Sequence, residues 1–230
     1  MIRSKKDYKF YLEADRIAKA IPKKGSLFLL IRNIIFPNYV WRFQKTLRKL
    51  EYYENCKKGI VSFVVRLFLT KKYFNLSVKL GFSIPTNVFG PGLSIAHRGT
   101  IIVSRGAKIG ANCRLHACVN IGTKAGADEL APTIGDDCYI GPGVKMYGEI
   151  SIPNGTAIGA NAVVNTSFDE ENITIAGVPA RRKGKVDTFD FIIPATRIIE
   201  SGYDDALDLK GLTGNKLREK LSCRPLSMDE

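Results

Sequence analysis

Few residues of this chain could do chemistry near neutral pH. Among its 230 residues are only two histidines, His97 and His116, and five cysteines. An imidazole titrates near pH 7 and can take a proton from an attacking hydroxyl or thiol, so each histidine is a candidate for proton transfer. The cysteines (Cys56, Cys113, Cys118, Cys138, Cys223) form no CxxC pair. That usage fits reduced thiols in a cytoplasmic protein better than a disulfide framework. A three-histidine metal site is out of reach with two histidines and no clustered thiols, so no metal is expected.

The elements that must position these groups are set by a repeat. Large aliphatic residues return every sixth position: Val103, Ile109, Leu115 and Ile121, then Ile134, Ile140, Met146, Ile152, Ile158 and Val164. Glycine often follows them. Four positions further on stands a small or β-branched residue: Ala107, Cys113, Val119, Cys138, Val144, Ile150, Thr156 or Ala162. Neither a helix of period 3.6 nor a two-faced strand of period 2 makes this pattern. A short flat strand followed by a corner does, repeated so that each aliphatic side chain stacks on the one below. The fold class is mainly β, a hexapeptide-repeat parallel β-helix. Cys113 and Cys138 fill the small inward slot and read as structural, as does Cys118. The core is a column of side chains, so function must lie on the outside of the prism.

Strict phase points His97, six residues before Val103, into the core. His116 follows the inward Leu115 and falls at a strand edge, as an active-site residue or as a corner histidine. The period lapses between Ile121 and Ile134, where Gly122–Thr133 must bulge outward as a loop, a common place for function.

The ends of the chain differ from its middle. Residues 1–90 hold 19 Lys and Arg against 5 Asp and Glu, whereas residues 91–180 hold 6 against 8. The first 82 residues read as a basic helical region, with segments at 7–20, 26–36, 38–57 and 60–80. In 38–57, Val40, Phe43, Leu47 and Leu50 line one face, with Lys and Arg on the others. A solvated basic face and contact with an anionic membrane surface are both open; nucleic acid is the weakest reading, since no recognised motif accompanies the charge. Met1–Ala20 lacks the apolar core of a signal peptide. The apolar runs 26–36 and 60–70 are shorter than the ~18–20 residues of a spanning helix. Residues 83–184 form the repeat domain. Residues 185–230 are a C-terminal extension with one short helix near 216–221.

Three stretches resemble the hexapeptide-repeat acyltransferases, in their serine acetyltransferase branch: Ser94-Ile95-Ala96-His97-Arg98-Gly99-Thr100-Ile101-Ile102-Val103, Leu115-His116-Ala117-Cys118-Val119-Asn120-Ile121-Gly122-Thr123, and Ile175-Ala176-Gly177-Val178-Pro179-Ala180-Arg181. The resemblance covers residues 83–184. It implies a left-handed β-helix, a homotrimer (with a dimer of trimers as an extension), and acetyl-CoA as cosubstrate in the groove between neighbouring prisms. It implies His97 as the general base for acetyl transfer to a hydroxyl. For the acetyl-CoA groove it implies Gly141, Pro142, Gly159 and Ala160 at the corners, with Asn165 or Thr166 near the same strip. Arg181, helped by Arg182 and Lys183, would stand near the CoA phosphates, where a basic side chain suits an anion.

The chain also departs from that branch. The family's two aspartates near the base match Ser83 and Ala96 here, and its Arg-His-Pro in the loop matches Leu130-Ala131-Pro132. Asp128 and Glu129 are then the nearest carboxylates to orient His97, and with Lys124 they are the candidate acceptor-binding residues of the loop. A zwitterionic amino acid needs charged partners for its carboxylate and amine, and the family's expected ones are missing from this loop. The expected acceptor is therefore a sugar hydroxyl in surface-polysaccharide synthesis (capsule, O-antigen or exopolysaccharide), with a lipid-linked carrier in view. Serine, for cysteine synthesis, is the alternative. A non-catalytic β-helical scaffold at the membrane is the alternative of another class. The expected location is cytoplasmic, with peripheral contact at the inner face of the cell membrane.

Overall fold

The computed structural model describes residues 1–23, 32, 34–204 and 209–227. Three long helices precede the β domain. Helix α1, Lys5–Ala18, starts two residues earlier than the composition indicates because Ser4 caps it: its hydroxyl accepts from the Asp7 N–H at 3.0 Å. Helix α2, Tyr39–Cys56, follows Pro37 and is capped by Asn38, whose side chain accepts from the Trp41 N–H. Helix α3, Ile60–Leu80, ends on Gly81 in the left-handed conformation at φ 74°. The segment expected at 26–36 falls largely outside the described residues. Among the described residues no helix is long and apolar enough to cross a membrane.

One expectation about α2 is corrected. Phe43, Leu47 and Leu50 are buried as its spacing indicates, but Arg48 is not on a solvated face. Its guanidinium is fully buried and bonds to Asp15 of α1 at 2.8 and 3.2 Å and to Glu51 at 3.0 Å. It also donates to the carbonyls of Phe89 and Gly90. Asp15 in turn accepts from the N–H groups of Gly92 and Leu93. This cluster ties both helices to the first coil of the prism. A buried charge persists only when every partner is supplied, and here each is.

The prism begins at Phe82. Its strands stack in three parallel sheets, one per face. Ile95, Leu115, Ile140, Ile158 and Ile175 lie in register on one face, and Val103, Ile121, Met146 and Val164 on the next. Ile109, Ile134 and Ile152 form the third column. Every residue of the six-residue aliphatic series and every residue of the small slot is buried. The glycines at the corners have a steric cause. A side-chain carbon on Gly110 would stand 2.6 Å from the carbonyl carbon of Gly135 in the next coil.

The first coil overturns the phase expected for His97. Ile95 pairs with Leu115 and Ile101 with Val119, so six residues in the first coil match four in the second. Two extra residues therefore lie in that corner, and the chain bows outward. His97 is exposed to solvent rather than buried.

The last strand, Ala180–Lys185, turns back antiparallel on Ile173–Gly177 and closes the prism. The C-terminal residues then return to the helical end. Helix α4, Ala195–Glu200, and helix α5, Gly214–Lys220, bring Ile192, Ala195, Ile198 and Leu217 against Ala14, Ile17 and Ala18 of α1. An Arg218–Asp187 pair at 2.7 and 2.8 Å anchors α5, which begins two residues before the sequence indicates.

Candidate active site

The site is built on one edge of the prism. Successive coils present there Ala96-His97-Arg98, His116-Ala117-Cys118, Gly141-Pro142-Gly143 and Gly159-Ala160-Asn161. Backbone bonds step the coils down this edge: Ala96 N–H to Leu115 O at 2.9 Å, His116 N–H to Ile140 O at 3.2 Å, and Gly141 N–H to Ile158 O at 2.9 Å. The Gly143 N–H reaches Ala117 O, and the Asn161 N–H reaches Pro142 O. His97, His116, Gly141, Pro142, Gly159 and Ala160 thus share one strip. Pro142 and Ala160 are exposed, and their small side chains leave the edge flat below the histidines.

The two imidazoles are neighbours, with ring centroids 5.7 Å apart. His116 lies half-buried against Tyr139, at 5.0 Å, and Tyr139 meets Phe191 edge-on at 5.0 Å. The Arg114 Nε–H donates to His116 Nε2 at 3.4 Å, which requires that nitrogen to be unprotonated. Burial first, then the charges of Arg114 and His97, push the His116 pKa below its ordinary 6.5. His116 is therefore neutral at pH 7. By contrast, no described residue hydrogen-bonds to His97, whose ring is free to meet a substrate.

Lys19, at the end of α1, donates from Nζ to the Ile95 carbonyl at 2.6 Å. Burial and the nearby Arg114 lower its pKa to about 8. The histidine pair is thus flanked by Arg114, which also donates to the Phe191 carbonyl, by the aromatic rings of Tyr139 and Phe191, and by Lys19 at the Ile95 carbonyl. Sequence reading missed all four of these residues. Arg114 carried a usable signal, since it is two positions from His116 and must point the same way from the strand. Lys19, Tyr139 and Phe191 arrive from other coils and from both ends of the chain, so spacing could not reveal them.

Other expected residues are elsewhere in the chain. Asn165 and Thr166 do not lie near the strip of Pro142 and Ala160. They follow the Val163–Val164 strand and belong to the next corner, below Ser104 and Gly122, because a coil turns a corner after each strand. Lys124, Asp128 and Glu129 are exposed on the loop, which folds over that same next corner: a side chain on Gly106 would meet the Asp128 carbonyl at 2.7 Å. Within one chain, then, neither Asp128 nor Glu129 is placed to orient His97. Arg181 and Lys183 are exposed on the closing strand, while Arg182 is held by Glu170 at 2.6 and 3.0 Å. A cavity of ≈ 850 Å³ opens on the third corner, beside Asp136, Asn154 and Glu171, and contains none of these groups.

Comparison with known proteins gives likenesses in sequence and in fold. The chain is 35% identical over 106 residues to the serine acetyltransferase of Escherichia coli K12, covering 45% of this chain and 38% of that protein. It is 36% identical over 114 residues to the serine acetyltransferase of Staphylococcus xylosus, covering 44% and 51%. A solved serine acetyltransferase of Brucella abortus in complex with coenzyme A superposes with a TM-score of 0.62 at 23% identity, covering 79% of this chain and 70% of that one. The chain has the fold of the hexapeptide-repeat acyltransferases. Its prism is accordingly a left-handed β-helix of the serine acetyltransferase type. The chain spans about half the length, or less, of the curated relatives it matches. No protein-family model matches it.

The electrostatics of the pair can be measured directly. With two histidines in the chain, their proton resonances are assigned by one substitution. The His116 midpoint is expected below 6.5, and Arg114→Gln is expected to move it upward by removing a neighbouring positive charge. The sign for stability follows. A histidine whose folded pKa is depressed is destabilised by protonation, so its contribution is full above 6.5 and falls as pH drops through that value towards the folded pKa. A His116 midpoint at or above 6.5 would contradict the buried, cation-flanked environment described here.

Proposed function

We propose that this chain is an acetyl-CoA-dependent O-acetyltransferase in which His97 is the general base. The observation that carries this reading is the shared edge: a free, exposed imidazole stands above a flat strip of Gly141, Pro142, Gly159 and Ala160. A pantetheine arm is long and thin, and such a strip suits it. Arg181 and Lys183, exposed at the closing strand, suit the CoA phosphates. His97 takes the proton of the acceptor hydroxyl as its oxygen attacks the thioester carbonyl. The tetrahedral oxyanion needs a backbone N–H or similar donor. Collapse of the intermediate expels the CoA thiolate, which takes the proton back from the imidazolium.

A homotrimer is part of the same reading. If acetyl-CoA lies between two prisms, Asn165, Thr166, Lys124, Asp128 and Glu129 serve a neighbouring chain's edge. That accounts for their place on a different corner. The cytoplasm, where acetyl-CoA is made available, is the matching setting.

For the acceptor, the names of the relatives favour serine. One specific observation favours a sugar hydroxyl as the second reading. The loop carries Leu130-Ala131-Pro132 with no charged side chain in that stretch, and the wall beside the histidines is Tyr139 and Phe191. Aromatic faces pack well on the apolar faces of sugar rings, whereas a zwitterion needs fixed charges of both signs. A thiol-release assay with acetyl-CoA decides between them. Serine turnover above that of nucleotide sugars and oligosaccharides supports the first reading, and the reverse order supports the second. No acceptor-dependent thiol release with either class would overturn acetyl transfer as the function.

A further inference from the structure

We propose that α3 seats this chain on an anionic phospholipid surface, with its apolar face in the headgroup–acyl boundary and the adjoining cationic groove on the lipid phosphates. The observation is a helix facing the wrong way for a soluble protein. Ser62, Leu69, Leu76 and Leu80 pack inward, while Ile60, Phe63, Val64, Leu67, Phe68, Phe74 and Val78 form an outer apolar stripe with Lys71 in its middle. Phe68 is 71% exposed and Val78 67%. Single exposed apolar side chains are ordinary, but a stripe along a 21-residue helix marks a contact surface.

The charge beside the stripe selects the occupant. A groove of ≈ 720 Å³ runs along α3 and is lined by Arg42, Lys45, Lys49, Lys71, Lys72 and Lys79, with no carboxylate. Among the described residues none of these six forms an ion pair. Burial and the charges of Lys72 and Arg42 push the Lys45 pKa down, as expected of cations crowded together without a counterion. α3 itself has four basic residues and no acidic one. A second copy set against this face would bring like charge to like charge. A nucleic acid would satisfy the groove but leave the stripe in water. An anionic bilayer satisfies both, with lysine stems lying along apolar surface and their heads at the phosphates.

The position of α3 gives this a functional consequence. Its last turn is bonded to the corner that carries His97: the Gly99 N–H donates to Leu80 O at 3.1 Å, and the Ile101 N–H to Gly81 O at 3.0 Å. A chain lying on α3 holds the His97 corner at one end of its lipid contact, within reach of an acceptor carried on a lipid. The membrane inference itself is independent of the acetyl-transfer reading.

The test is co-sedimentation of the full chain with vesicles of phosphatidylcholine alone and of phosphatidylcholine with phosphatidylserine. Trp41, the only tryptophan, lies beside Lys45 and gives a fluorescence readout of the same titration. Binding is expected only with phosphatidylserine and is expected to weaken as salt rises. Lys71→Glu with Lys72→Glu, and separately Phe68→Ser with Phe74→Ser, should each weaken it about tenfold or more. Lys45→Glu tests the groove from α2 should an α3 variant fail to fold by circular dichroism. Equal binding to neutral vesicles, or none to anionic ones, would overturn the proposal. So would loss in the charge variants alone, which assigns the groove to a soluble polyanion such as RNA. A drop in oligomer mass for the Phe variant, without vesicle binding by the parent, assigns the stripe to a second copy and equally overturns it.

Discussion

Acetyl transfer by the His97→Ala variant is expected to fall about 10²–10⁴-fold below the parent chain. A hydroxyl at neutral pH is a weak nucleophile, and removal of its proton during attack is what an imidazole contributes. The loss corresponds to about 2.7–5.5 kcal/mol of barrier. His97 is well placed for a clean experiment. Its ring is exposed and no described residue hydrogen-bonds to it, so the substitution should shift stability by no more than about 0.5 kcal/mol. Activity and thermal midpoint measured on one preparation therefore separate chemistry from folding. His116→Gln should cost less than His97→Ala, because His116 is half-buried and held neutral by Arg114. Unchanged acetyl transfer in His97→Ala would remove this residue from the mechanism.

Arg48→Met is expected to destabilise the fold by about 3–5 kcal/mol, because it strands two buried carboxylates. Few domains have more than about 5–15 kcal/mol in total, so the variant should be close to unfolding at physiological temperature. Asp15 and Arg48 are both fully buried, and Glu51 nearly so. Combining Arg48→Met with Asp15→Asn and Glu51→Gln should recover most of the loss. The amide oxygens still accept from Gly92, Leu93 and Asn87 while no charge remains buried. Changing the carboxylates to leucine instead would orphan those N–H groups at about 1–3 kcal/mol each. Urea denaturation measures all of these variants. A triple variant no more stable than Arg48→Met would show that the ion cluster is not what holds the helices to the prism.

The prism was legible from the sequence because its rule is local. Every sixth residue turns inward once a strand and a corner have been made, so Val103 through Val164 declare the core without knowledge of any neighbour. The same rule failed at His97. Its orientation depends on Ile95 pairing with Leu115 and Ile101 with Val119, a register that exposes two additional corner residues. For Asn165 and Thr166 it was the resemblance that misled, since by the six-residue rule itself they fall one corner beyond Ala160. Nor could helical periodicity show that Arg48 points inward, because its partner Asp15 lies 33 positions away on another helix.

The sequence by itself therefore determined the scaffold, the absence of other histidines to compete with His97 and His116, and the concentration of positive charge before residue 90. These depend on identity and short-range spacing, which the chain carries in order. The tertiary structure decided what surrounds the histidines and where the charge is useful. It brought Lys19 from α1 and Phe191 from the C-terminal segment to one edge, and it left the apolar face of α3 outward beside six cations. Those arrangements depend on which distant surfaces pack together, and the buried side chains that choose between packings are themselves far apart in sequence.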